Sequence, residues 1–258
     1  SDLRGCGLSE GIPRGHIAHR DVAGRDISRV ASAVFTRECQ GGRIPLILGG
    51  YLNAAGIVLR WASWNTDFRM PIAGLLLISP ICGPLQKLQK EHAIKRNAFK
   101  LGLARLTNGR VFGKAYVLRL SGQASLLRLN PTATTRLTAN YVLAAEVDRR
   151  RGRRAVAKIP TTIILGERDE FVRYEAVAKH LGLPIRDAEE VLADSTLPND
   201  PRHTVWALPS NSSVSLQQLP YQRSEREASS DESMVVVFRG KSTLATMVGL
   251  AMVNPHLE

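Results

Sequence analysis

Apolar runs alternate with amphipathic stretches along this chain. Ile44 to Leu48 is a short continuous apolar run of the kind a strand shows when it is covered on both faces, and Gly49 and Gly50 end it where the chain must turn sharply. The small residues Ala54, Ala55 and Gly56 then let a first helical turn pack close to that strand. Gly74 to Pro80 and Ile159 to Glu167 are two further apolar runs that predict buried strands, the first stopped by proline and the second by glycine and glutamate. Asp21 to Glu38 predicts an amphipathic helix, with Val22, Ile27, Val30, Ala31, Val34 and Phe35 at helical spacing and Asp26 and Arg29 outward. Tyr174 to Leu181 predicts a shorter one. Strand, helix and strand in this order predict an α/β fold with a mostly parallel sheet flanked by helices.

Other stretches lack a strong apolar pattern. The first sixteen residues hold four glycines and a proline and read as a loop. Residues 83 to 155 are basic and helix-permissive, are broken by Gly102, Gly109, Gly113, Gly122 and Pro131, and show no strong apolar strand. Between Leu183 and Asp200 the pattern fades, with only Glu190-Val-Leu-Ala as a weak strand. Residues 209 to 233, rich in Ser, Gln, Asn and Glu, read as a flexible linker or long surface loop. Met234 to Phe238 predicts a strand and Ser242 to Met252 a helix. Gly240-Lys-Ser-Thr resembles a phosphate loop only by chance, because Val235 stands where that motif needs its first glycine.

Composition narrows the choices. A chain of 258 residues with 44% hydrophobic and 5% aromatic content can bury an aliphatic core but offers few base-stacking surfaces. Its formal charge of +12 is concentrated between Lys87 and Arg154. This excess reads either as solvated helix faces and an exposed turn or as a surface that docks onto an anionic membrane; no nucleic-acid recognition module is visible. Cys6, Cys39 and Cys82 have neither disulfide nor metal-ligand spacing, so no metal and no cofactor is expected. No run has the length of a transmembrane helix and no signal peptide opens the chain, which places the expectation at a cytoplasmic or peripheral membrane protein. Oligomeric state is left open.

The candidate chemistry lies at the turn after Ile44 to Leu48. A strand, a sharp turn and a helix opening with small residues match a nucleophile elbow, Gly-x-Ser-x-Gly, whose central side chain stands exposed and strained above the sheet. The register puts Gly50 first, Leu52 at the nucleophile position, Asn53 next with its backbone N–H at an oxyanion position, and Ala54 where the second glycine would be. Leucine has no lone pair to attack with, so the elbow would keep its shape and lose its chemistry. The same pattern also fits a plain strand-to-helix turn in any parallel sheet.

Asp2, Arg4, Gly5, Gly7, Ser9, Gly11, Arg14 and Gly15 match the Asp-x-Arg-Gly-His-Gly-x-Ser-x-Gly…Arg-Gly loop that follows the fourth strand in the α/β-hydrolase family, in its monoacylglycerol lipase, lysophospholipase and serine aminopeptidase branch. The elbow, the following strand and Gly166-Glu-Arg-Asp-Glu-Phe-Val172 resemble the same branch in the same order, with Cys6 replacing its usual histidine. The resemblance implies an α/β-hydrolase fold with a helical cap inserted at 83–155, whose underside would line an acyl tunnel through residues such as Leu101, Leu106, Phe112, Val117 and Leu118. The core would be 1–82 and 156–208, followed by the 209–233 linker and the 234–258 strand and helix. It implies Asp169 as the acid and His203 as the base, with His180 and His256 fitting the spacing less well. It also implies that the first strands, and the loop after the third strand that supplies the second oxyanion donor, are not in this sequence.

Three readings follow: a lipase or esterase relative of monoacylglycerol or lysophospholipid type that is inactive as it stands, a pseudoenzyme that binds a small lipid or ester ligand, or a basic-surface protein that docks onto an anionic membrane.

Overall fold

The computed structural model describes residues 3–4, 6, 13–39, 44–64, 72–83, 94–120, 136–167, 169, 171–187 and 234–238. Helix α1 (Val22–Arg37) precedes strand β1 (Leu46–Tyr51), helix α2 (Asn53–Trp64) and strand β2 (Ile72–Ile78). Next come β3 (Ile94–Arg96), α3 (Ala98–Leu106), β4 (Tyr116–Leu120), β5 (Arg136–Thr138), α4 (Ala139–Ala145) and α5 (Arg149–Lys158). The chain closes with β6 (Thr161–Gly166), α6 (Tyr174–Leu181), β7 (Ile185–Asp187) and β8 (Met234–Phe238). Five strands form one sheet in the order β1-β2-β6-β8-β7, and each pair in it is parallel.

The three apolar runs become β1, β2 and β6, and these are neighbours in the sheet. Leu75, Leu77, Ile163 and Leu165 are buried in its centre. Unlike the expected two-face coverage, β1 is an edge strand among the described residues, and Ile47 is 47% exposed. β8 pairs with both β6 and β7, so the last described strand inserts between two earlier ones. The weak strand expected at Glu190 to Ala193 lies outside the described residues.

Helix α2 is the central helix. It buries Ile57, Leu59 and Trp61 and packs against α1, β1, α4 and α5. Its partner α4 is buried at all seven residues, and one continuous apolar core runs from the sheet through α2 and α4 to Leu101, Val117 and Leu118. Gly56 makes this packing possible, since a Cβ there would stand 2.0 Å from the Ile81 carbonyl oxygen and 2.9 Å from Ala145 Cβ.

Two departures from the sequence pattern have simple causes. The 83–155 segment, read as helical, also carries the antiparallel sheet β3-β4-β5, whose strands of three to five residues are too short to show a period of two. On α1 the buried residues are Ala23 and Ala31, while Val30 is 49% exposed, because the helix turns its small residues toward its neighbours.

Gly56→Ala is expected to destabilise the protein by about 3 kcal/mol, at the upper end of overpacking costs, because backbone cannot yield as a flexible side chain can. Gly102→Ala in α3, where a Cβ meets nothing within 4 Å, should instead stabilise by roughly 0.5–1 kcal/mol. Urea unfolding of both variants checks the opposite signs.

Candidate active site

Leu52 sits between the last residue of β1 and the first of α2 with φ of 50°, in the left-handed region that a bulky side chain avoids. Three backbone bonds hold it there. Its N–H donates to Ile78 O at 2.9 Å, and its carbonyl accepts from Gly56 N at 3.2 Å and Ile81 N at 3.1 Å. Gly50 lets the strand end meet the helix, since a Cβ there would lie 2.7 Å from Ala55 N. Strain of about 1–2 kcal/mol at a left-handed leucine persists only when the surroundings fix the turn this firmly.

Asn53 begins α2, so its backbone N–H has no acceptor within the helix, as an oxyanion donor requires. Its side chain donates to Tyr141 O at 3.3 Å. The buried Tyr141 also meets Cys6, with Sγ and the phenol oxygen 2.9 Å apart, which ties the opening loop to the elbow region through the residue that replaces histidine.

Asp169 follows β6 and is buried. Its Oδ1 accepts from the backbone N–H groups of Phe171 at 2.8 Å and Val172 at 2.7 Å, and its Oδ2 accepts from Ser79 Oγ at 2.7 Å. Sequence reasoning missed Ser79, which follows β2, is fully buried and has φ of 48°. Leu52, Ser79 and Asp169 thus lie at the carboxyl ends of the neighbouring strands β1, β2 and β6. With strands about 4.8 Å apart, the outer two are separated by roughly 10 Å. In open parallel sheets this is the edge where ligands bind.

His203 and His256 lie outside the described residues. In chain order His203 falls between β7 and β8, ahead of the strand that runs beside β6. His180 is on α6, where its Nε2 lies 3.0 Å from Val147 O, away from the elbow. No cluster of three or more metal-ligating side chains occurs among the described residues. No helix among them is long and apolar enough to cross a membrane.

The parallel sheet with this strand-turn-helix junction and a buried acid after β6 defines an α/β-hydrolase fold, and comparison with known proteins agrees. The monoacylglycerol lipase of Paleococcus ferrophilus matches with a TM-score of 0.52 at 16% identity, covering 98% of this chain and 80% of the lipase. A soluble variant of Saccharomyces cerevisiae monoglyceride lipase, solved with a substrate analogue, gives 0.51 at 15% identity, covering 98% and 74%. At these identities the likeness is one of fold. No protein-family model and no curated protein matches the sequence.

Ser79→Ala removes one of the three described donors from a buried carboxylate and should cost about 1–3 kcal/mol in urea unfolding. The His180 pKa is lowered from its ordinary 6.5, chiefly by burial, against the Val147 hydrogen bond and with help from Arg149 and Arg153. The unfolded chain therefore takes up this proton first. His180 contributes stability above pH 6.5 that is lost as pH falls below it toward the lowered value. Comparing urea midpoints at about pH 7.5 and about pH 5.5, His180→Gln should lose less stability than the native chain.

Proposed function

We propose that this chain is a lipase- or esterase-like α/β hydrolase of monoacylglycerol or lysophospholipid type in which the elbow holds leucine in place of the nucleophile, so that it does not hydrolyse esters through a covalent acyl intermediate. The supporting observation is Leu52 at the elbow with φ of 50°. That is the conformation in which a serine would be presented to a carbonyl, with the Asn53 N–H beside it, and leucine there keeps the geometry without an attacking atom. Asp169 would orient the base, and His203 would be that base. Without the nucleophile, a small lipid or ester ligand that binds beside the elbow is released unchanged.

A second reading, docking onto an anionic membrane, is favoured by one surface. Phe99 and Leu106 lie on the same face of α3 and are 72% and 84% exposed, and Val111 and Phe112 are exposed just beyond. Lys100, Arg110 and Lys114 stand among them, which gives apolar anchors with cations beside them.

Hydrolysis of p-nitrophenyl butyrate tests the first reading. The native chain should be no faster than buffer. Leu52→Ser should raise the rate by about two orders of magnitude or more, and adding His203→Ala should abolish the gain. A native chain as active as the variant would contradict the proposal.

A further inference from the structure

At the other end of α2, roughly 16 Å from the elbow at 1.5 Å per residue, lies a cleft of about 1110 Å³ that neither Leu52 nor Asp169 lines. Six cations line it: Arg20, Arg60, Arg105, Arg149, Arg151 and Lys179. They come from the segment before α1 and from α2, α3, α5 and α6. Only two carboxylates, Glu146 and Asp148, line it with them.

Both carboxylates are already committed. Arg105 grips Glu146 through Nε at 3.0 Å and through Nη2. Asp148 caps α5 by accepting from Arg151 N at 3.0 Å, and its other oxygen lies 3.3 Å from Arg151 Nε. Arg60 spends its guanidinium on Leu143 O at 3.1 Å and Asp21 Oδ1 at 2.9 Å. Arg149 and Lys179 have no acidic partner among the described residues. Arg20 is the most telling: its buried Nε has no hydrogen-bond partner, and Asp21 Oδ1 stands 3.8 Å away.

A buried guanidinium donor without an acceptor is rare in folded proteins. The start of α5 adds to the imbalance. Arg149, Arg150 and Arg151 occupy its first turn, where the helix macrodipole disfavours cations and favours an anion. The crowding is felt by Arg60, whose pKa is lowered by burial and then by Arg20. Arginine forks and a lysine ammonium lining one cleft match a phosphate group, which accepts several charge-assisted bonds at once. The cleft is larger than one phosphate needs, so the group would be carried on a larger molecule.

We propose that this cleft is a binding site for a phosphate-bearing ligand, held by Arg20, Arg149 and Lys179 of its lining. The phosphate comes either from a free phosphorylated small molecule or from a lipid headgroup of the phosphatidic acid kind. The site is separate from the elbow and does not depend on whether the chain hydrolyses esters.

Titration calorimetry with inorganic pyrophosphate, using the full chain and the double variant Arg149→Gln/Lys179→Gln, tests it. Pyrophosphate should bind the native chain and raise its melting temperature. The double variant should bind at least about tenfold more weakly, as expected for two lost charge-assisted contacts, yet be no less stable without ligand because two like charges are gone. Arg173→Gln, outside the cleft, should bind as the native chain does. Sedimentation with phosphatidic acid vesicles identifies the source. Vesicle binding that pyrophosphate displaces and the double variant loses assigns a headgroup; pyrophosphate binding without vesicle binding assigns a free phosphate. Absence of binding to either probe, or binding that the double variant leaves unchanged, overturns the proposal.

Discussion

The close approach of β1, α2 and the segment after β2 constrains everything else in this protein. At Gly50 and at Gly56 a single added carbon would strike backbone, and Leu52 between them is held in the left-handed region by three backbone hydrogen bonds. Because α2 sits so near the sheet, α4 can bury its whole length against it and the core continues into the inserted segment. The same approach leaves the first backbone N–H of α2 without a helical acceptor at the carboxyl edge of the sheet. The fold thereby sets a left-handed residue at the carboxyl edge of the sheet, with the first N–H of α2 beside it.

The acid side of the site is equally preorganised. Asp169 is held by two backbone amides and a serine hydroxyl, so both of its buried oxygens have hydrogen-bond partners. Ser79 links this acid to the elbow, for the residue before it, Ile78, accepts the Leu52 N–H. The electrostatic demands on the molecule fall elsewhere, at the far end of α2, where six cations meet two carboxylates that already have partners.

Sequence pattern revealed the parts of this fold that depend on neighbours in the chain. The apolar runs of β1, β2 and β6 and the helix from Tyr174 to Leu181 appear close to where local spacing puts them, but Gly49 and Gly50, expected to end the first strand, lie within β1, and the chain turns at Leu52. Met234 to Phe238 was legible as a strand, but its insertion between β6 and β7 was not, because nothing local encodes a partner more than forty positions away in sequence. The short strands β3 to β5 left no period to detect. Ser79 looked like the end of an apolar run. The arginines of α5 read either as a solvated face or as a membrane-docking one. Only their convergence with Arg20, Arg60 and Lys179, from distant segments, reveals a cleft.

We propose that position 52 is the tip of a formed nucleophile elbow. Its most direct test is covalent labelling of Leu52→Ser with a fluorophosphonate, followed by peptide mass mapping beside the native chain. One adduct is expected in the variant, on the peptide containing position 52, and none in the native chain. A native chain labelled elsewhere, or a folded variant that takes no label at position 52, would contradict it.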